Sequence, residues 1–145
     1  MNDYADTGFI CSLYAPDANT DRALDRMEQQ REPICFSWLN QVEFRNALRL
    51  RVFRKEISPT ERDRSLNLLL ADLSEGIFEH VDLAQSSVLT ETERLSAGHS
   101  EKLGTRSLDI LHVAMAVSLG CQRFLSFDTR QVKLAKAAGL AVPKL

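Results

Sequence analysis

From Leu108 to Leu119 nearly every residue is apolar or small, yet the second position of that run is a carboxylate, Asp109. A helix that is hydrophobic almost all round is a buried one. An ionised carboxylate inside it costs several kcal/mol unless something pairs with it. The chain must therefore fold so that positive charge reaches Asp109. Either Arg106, one turn earlier, supplies it, or Asp109 shares a cation with other carboxylates. Three more acids stand at the end or on the flank of an apolar segment: Asp6, Glu43 and Asp128.

Size and composition narrow the classes. The 145 residues suffice for one domain, 1–145, with one core, and the hydrophobic fraction of 44% is that of a soluble globular chain. MNDYADTG has neither the basic nor the apolar region of a signal peptide. No apolar run is long enough to cross a bilayer. Cys11, Cys35 and Cys121 are odd in number and widely spaced, and His80, His99 and His112 form no HxxxH pair, so zinc spacing is absent. Three buried thiols in a reducing cytoplasm is the simplest account. The formal net charge of -2 argues against a broad basic surface for nucleic acid. Bound divalent cations would add charge that this count omits.

Along the chain, short apolar runs alternate with helical patterns. Tyr4-Ala5-Asp6 is a first strand and Phe9 to Tyr14 a short helix broken by Pro16. Asn19 or Thr20 caps a helix to about Gln30. Pro33 to Phe36 is a second strand, and Ser37 caps a helix from Trp38 to Arg54 whose apolar face is Leu39, Val42, Asn46, Leu50 and Phe53. Ser58, Pro59 and Glu61 form a capping box opening a helix to about Leu73, which Gly76 ends. Ile77 to Val81 is a third strand. Helices follow at 83–97 and 107–119, stopped by Gly98 and Gly120. Arg123 to Phe127 is a fourth strand, Asp128 opens a helix through Ala138, and Leu140-Ala141-Val142 is a short fifth strand. This order predicts an α/β fold with a mostly parallel sheet. Ligands of such sheets gather outside the carboxyl ends of the strands, where Asp6 and Asp128 fall.

Each acid also has a plainer use. Asp6 and Asp128 can cap the helices that follow them, and Glu43 can pair with Arg45 or Arg49. His112 reads as a core histidine hydrogen-bonded to a neighbour, and His99 as a loop residue. Arg106 either pairs with Asp109 or grips a phosphate. Arg45, Arg49, Arg51, Arg54 and Lys55 read as a solvated face able to steer phosphate. Trp38, Phe44, Phe53 and Leu68-Leu69-Leu70 read as core, or else as a dimer patch or a groove for a partner helix.

D-T-G-F-I after the first strand, Q-V-E-F-R-N-A-L on a helix, G-T-R-S-L-D-I-L-H-V-A and F-L-S-F-D-T-R-Q, taken as an ordered set, resemble the PIN-domain ribonucleases, above all the VapC toxins of prokaryotic toxin–antitoxin pairs. The resemblance covers essentially the whole chain, and the block from Gly104 to Ala114 carries most of it. It implies a three-layer fold: a twisted, mostly parallel sheet of four to five strands with helices on both faces. It makes Asp6, Glu43, Asp109 and Asp128 the catalytic and metal-binding residues, holding Mg²⁺ or Mn²⁺. Thr7 and Arg106 become substrate-binding residues. It implies an RNA substrate, a cognate antitoxin protein and a homodimer. Asn2, Asp3, Ala5 and Gly8 depart from the family, which has larger residues there.

The residue types suit that chemistry. A hard cation such as Mg²⁺ prefers carboxylate oxygen to imidazole or thiolate. Without metal, four neighbouring carboxylates repel, and at least one should titrate above its usual range. A catalytically silent PIN-like module that binds RNA or protein is the alternative. D-Y-A-D-T superficially suggests a phosphatase nucleophile loop, but Asp3 and Asp6 are one residue too far apart, and a receiver domain lacks its lysine.

Overall fold

A computed structural model describes residues 2–145. Among the described residues, the elements run β1 (Asp3–Ala5), α1 (Thr7–Tyr14), α2 (Thr20–Glu28), β2 (Ile34–Phe36), α3 (Trp38–Phe53), α4 (Pro59–Ser74), β3 (Phe78–His80), α5 (Gln85–Leu103), α6 (Ser107–Ser118), β4 (Phe124–Leu125) and α7 (Thr129–Ala137). The four strands form one sheet in the order β3-β2-β1-β4, and every pairing is parallel. Three layers follow from strand alternation. Tyr4, Cys35 and Phe124 point to a core shared with α5, α6 and α7. Ala5, Ile34, Phe36 and Leu125 point to a second core shared with α1 to α4. Leu39, at the start of α3, reaches the first core, while Phe44 and Leu48 reach the second.

The strand order has a functional consequence. From β1 the chain steps outward to β2 and β3, then returns to place β4 on the other side of β1. The order reverses between β1 and β4, which opens a crevice at their carboxyl ends. Asp6 follows β1 directly, and Ser126-Phe127-Asp128 follows β4.

Local chemistry explains most boundaries. Pro16 forces Ala15 out of helical geometry, so α1 ends at Tyr14. Ser37 and Ser58 accept from the third helical N–H, with Asn40 and Glu61 reciprocating. Asp3, a poor strand former, occupies β1 fully buried, its carboxylate held by Arg26 at 3.3 Å and Arg123 at 2.8 Å.

Several expectations need correction. β2, β3 and β4 are shorter than read, β4 spanning two residues, and β1 keeps its length but lies one residue earlier, at Asp3–Ala5. No fifth strand forms among the described residues, because Ala141 makes only an isolated parallel bridge to Arg123. Gly98 does not stop α5. The helix continues to Leu103, and Gly104, at φ 64°, takes the left-handed position that ends it. His99 therefore lies in a helix, not a loop. The face chosen for α3 holds only at its start: Leu39 turns inward as expected, but Val42, Asn46, Leu50 and Phe53 are exposed, and Asn40, Phe44 and Leu48 turn inward instead. Trp38, Leu68 and Leu70 are exposed as well, so of the residues assigned to the core only Phe44 and Leu69 are there. Asn19 makes no side-chain cap.

Candidate active site

Four segments deliver the four acids to one place. Asp6, Glu43, Asp109 and Asp128 line a cleft of about 160 Å³ together with Thr7, Gly8, Arg106, His112 and Gln131. Asp6 is the N-cap of α1 and Asp128 the N-cap of α7. Glu43 lies in the second turn of α3, and Asp109 in the first turn of α6. The plainer uses of Asp6 and Asp128 are thus real, and each spends only part of a carboxylate. Asp6 Oδ1 accepts from the Phe9 N–H at 2.7 Å. Asp128 Oδ1 accepts from the Arg130 and Gln131 N–H groups at 2.9 Å, leaving Oδ2 to the cleft.

Asp6 is the deepest of the four. Its second oxygen accepts from the Ser126 hydroxyl, which sits beyond β4 and joins the two strands that bound the crevice. Burial pushes its carboxyl up to about 6; hydrogen bonds from Ser126 and Phe9 and the proximity of His112 oppose that rise, and Asp128 adds to it. Mutual repulsion, the reason expected from sequence, is thus the smaller cause and desolvation the larger.

Glu43 does not pair with Arg45 or Arg49. The His112 Nε2 and the Thr7 hydroxyl both donate to Glu43 Oε1, the latter at 2.8 Å. Burial alone would raise this carboxyl; the hydrogen bond and charge of His112, with Thr7, outweigh burial and hold it below its ordinary range. With Nε2 donating to a carboxylate, Nδ1 faces the Tyr4 hydroxyl at 2.8 Å, which donates to a neutral ring and accepts from a charged one. Tyr4 also meets Ser37 at 2.9 Å, and Asn40 Nδ2 donates to Thr7 Oγ1 at 3.2 Å. The sequence identified His112 as a hydrogen-bonded core histidine; its role in orienting Glu43 was not legible. The partner that orients the ring is Tyr4, on a strand 108 residues away.

Arg106 carries the third set of contacts. Its Nε donates to Asp109 Oδ2 at 2.9 Å, and its terminal nitrogen lies 3.5 Å from Asp128 Oδ2. It is the only arginine or lysine lining the cleft among the described residues.

The donor set is hard oxygen throughout, the type that Mg²⁺ or Mn²⁺ selects. Among the described residues, no three Asp, Glu, His or Cys side chains are already drawn close enough to hold an ion. The reason is local: the cleft's oxygens face Arg106, Ser126, His112, Thr7 and backbone N–H groups. The residues fit a divalent cation in kind, and side-chain adjustment would have to bring them around it.

A larger hollow of about 530 Å³ lies between the ends of α1, α2 and α4, lined by Leu13, Tyr14, Leu24, Met27, Pro33 and Ile77 among others. It collects none of the predicted acids, so the chemistry points to the smaller cleft.

Residues 4–137 match the PIN domain family. No curated protein matches the chain. Three solved structures share its fold. VapC20 from Mycobacterium tuberculosis, described as a sarcin–ricin loop cleaving toxin, superposes with a TM-score of 0.70 at 18% identity over 97% of each chain. FitAcB from Neisseria gonorrhoeae gives 0.64 at 18% identity over 97% of this chain and 95% of that one. VapBC2 from Rickettsia felis, bound to a DNA fragment from its promoter, gives 0.67 at 14% identity over 99% and 98%.

Proposed function

The chain belongs to the PIN-domain family, and from that premise we propose that it is a Mg²⁺- or Mn²⁺-dependent endoribonuclease acting as the toxin of a type II toxin–antitoxin pair. One observation carries the proposal. Four carboxylates from four separate segments, spread from residue 6 to residue 128, line a single cleft at the β1/β4 reversal. A purely structural role gives no reason to gather four like charges in one cleft, or to bury Asp6 among them where desolvation raises its carboxyl to about 6. VapC20's description as a cleaving toxin supports the same activity here.

Asp6, Glu43, Asp109 and Asp128 would hold the ion. When bound, such an ion makes a water acidic enough to serve as nucleophile near neutral pH and offsets charge on the scissile phosphate. The remaining work belongs to the chain. His112 and Thr7 orient Glu43, Ser126 fixes Asp6, and Thr7 and Arg106 are the groups for the RNA phosphate. Attack by water leaves a 5′-phosphate and a 3′-hydroxyl, with no part for the 2′-hydroxyl.

A small antitoxin would block this cleft. Exposed apolar side chains on the helices that carry two of the acids, Trp38 and Val42 on α3 with Glu43 and Leu108 on α6 with Asp109, offer surface for that partner or for a second copy in a homodimer. Among the described residues no helix is long and apolar enough to cross a membrane, and we place the protein in the cytoplasm with its RNA.

Inducible expression of the wild type and of Asp6→Ala in a bacterial host tests the proposal. Growth arrest by the first alone, with RNA ends bearing 5′-phosphates, is the expected result. Cyclic 2′,3′-phosphate ends would reject the mechanism. Equal growth, with both proteins folded and free of antitoxin, would favour the silent RNA- or protein-binding module.

A further inference from the structure

We propose that Arg106 is the exchangeable counter-ion of the acidic cleft: its guanidinium clamps Asp109 and Asp128 in the ion-free chain and must leave them when a divalent cation enters. The inference rests on the metal-dependent reading above and adds what sets the threshold for the ion.

Three observations support it. Arg106 bridges two acids from different elements, donating to Asp109 at 2.9 Å and lying 3.5 Å from Asp128. The Asp128 oxygen it approaches is the one not used for capping α7. Asp6 and Glu43 have side-chain donors in Ser126, His112 and Thr7, whereas among the described residues Arg106 is the only side chain that approaches the carboxylates of Asp109 and Asp128, the latter otherwise held by backbone N–H groups alone. The arginine can also move. Its side chain is 64% exposed, and it precedes α6 as the N-cap in extended geometry, without a side-chain capping bond. Its neighbours hold their places without it, since Asp109 is anchored by the buried run of α6 and Asp128 by two backbone N–H groups.

A guanidinium and a divalent cation held by the same two carboxylates repel each other and draw on the same lone pairs, so they compete. Competition of this kind is reciprocal. Whatever the clamp contributes in the ion-free state is subtracted from the affinity for the ion. Once released, the guanidinium stands at the mouth of the cleft, free for the phosphate-binding role proposed above.

Calorimetric titration of Mn²⁺ into chelator-stripped protein, wild type against Arg106→Gln, tests this without measuring cleavage. The glutamine variant should bind Mn²⁺ about fivefold or more tightly, the low end of typical coupling between competing sites. Arg106→Lys, which keeps the charge and loses the fork, should fall between them. Thermal melting supplies a second readout and a folding control. Mn²⁺ should raise the melting temperature of Arg106→Gln by more than that of the wild type. If the wild type itself takes up no Mn²⁺ at millimolar concentration, the metal-dependent reading fails. If the wild type binds and Arg106→Gln binds equally or more weakly, that reading stands and the exchange is overturned.

Discussion

Asp6→Asn should make the ion-free protein more stable, and by an amount that depends on pH. The side chain is 5% exposed, and burial lifts its carboxyl from an unfolded value of 3.8 to about 6. Asparagine keeps the local bonding. Its Oδ1 can accept the Phe9 N–H, and its amide can donate to Ser126, whose own proton then turns to Gln131 Oε1 at 3.5 Å. What changes is charge. Because the folded value is raised, the native state binds a proton more tightly than the unfolded chain. Stability attached to that proton is complete below the unfolded value and is lost as pH rises through the folded one. A rise of this size corresponds to about 3 kcal/mol above pH 6 and to about 1 kcal/mol near pH 4.5.

The substitution removes that loss. In excess chelator, Asp6→Asn should unfold about 3 kcal/mol later than the wild type at about pH 8, or roughly 9 °C higher for a chain of this size. The gain should shrink to about a third of that near pH 4.5. Far-UV circular dichroism during heating, at both pH values, measures it. Adding Mn²⁺ should raise the wild type and leave the variant almost unmoved, narrowing or reversing their order. No gain at the higher pH would refute the burial argument, and an equal gain at both would show that charge is not its source.

Two further substitutions probe the polar contacts that hold the cleft and the start of β1. His112→Ala removes a hydrogen bond to a charged carboxylate and one to Tyr4; at about 1.5–3 and 0.5–1.5 kcal/mol respectively, urea unfolding should show a loss of about 2–4.5 kcal/mol. A loss below about 1 kcal/mol would mean the ring does not hold Glu43 as described. Arg26→Ala takes a buried partner from the fully buried Asp3; because Arg123 remains, the loss should sit at the low end of the range for broken buried pairs, about 3 kcal/mol by the same assay.

The order of elements was legible because its signals are local. Ser58-Pro59-Thr60-Glu61 specifies a helix start by itself, and so does Ser37 before Trp38. The four acids were legible because each interrupts or ends an apolar run. Which face of α3 turns inward was not. The sequence 42-46-50-53 and the sequence 40-44-48 both have helical spacing, and only the sheet beneath decides between them. Gly98 and Gly104 show the same limit. Either glycine can end a helix; an interior one costs only about 1 kcal/mol, and packing of the last turns of α5 carries the helix past the first to the second. Asp3 looked wrong for a strand because its partners, Arg26 and Arg123, are 23 and 120 residues away.

The Ser126–Asp6 contact ties two points 120 residues apart. While the polypeptide is still being made, the early part has nothing to fold that corner against. Translation must pass β4 before the pocket exists. A polypeptide that stops short of Ser126 lacks both that corner and Asp128, so the cleft is completed only when synthesis is nearly done.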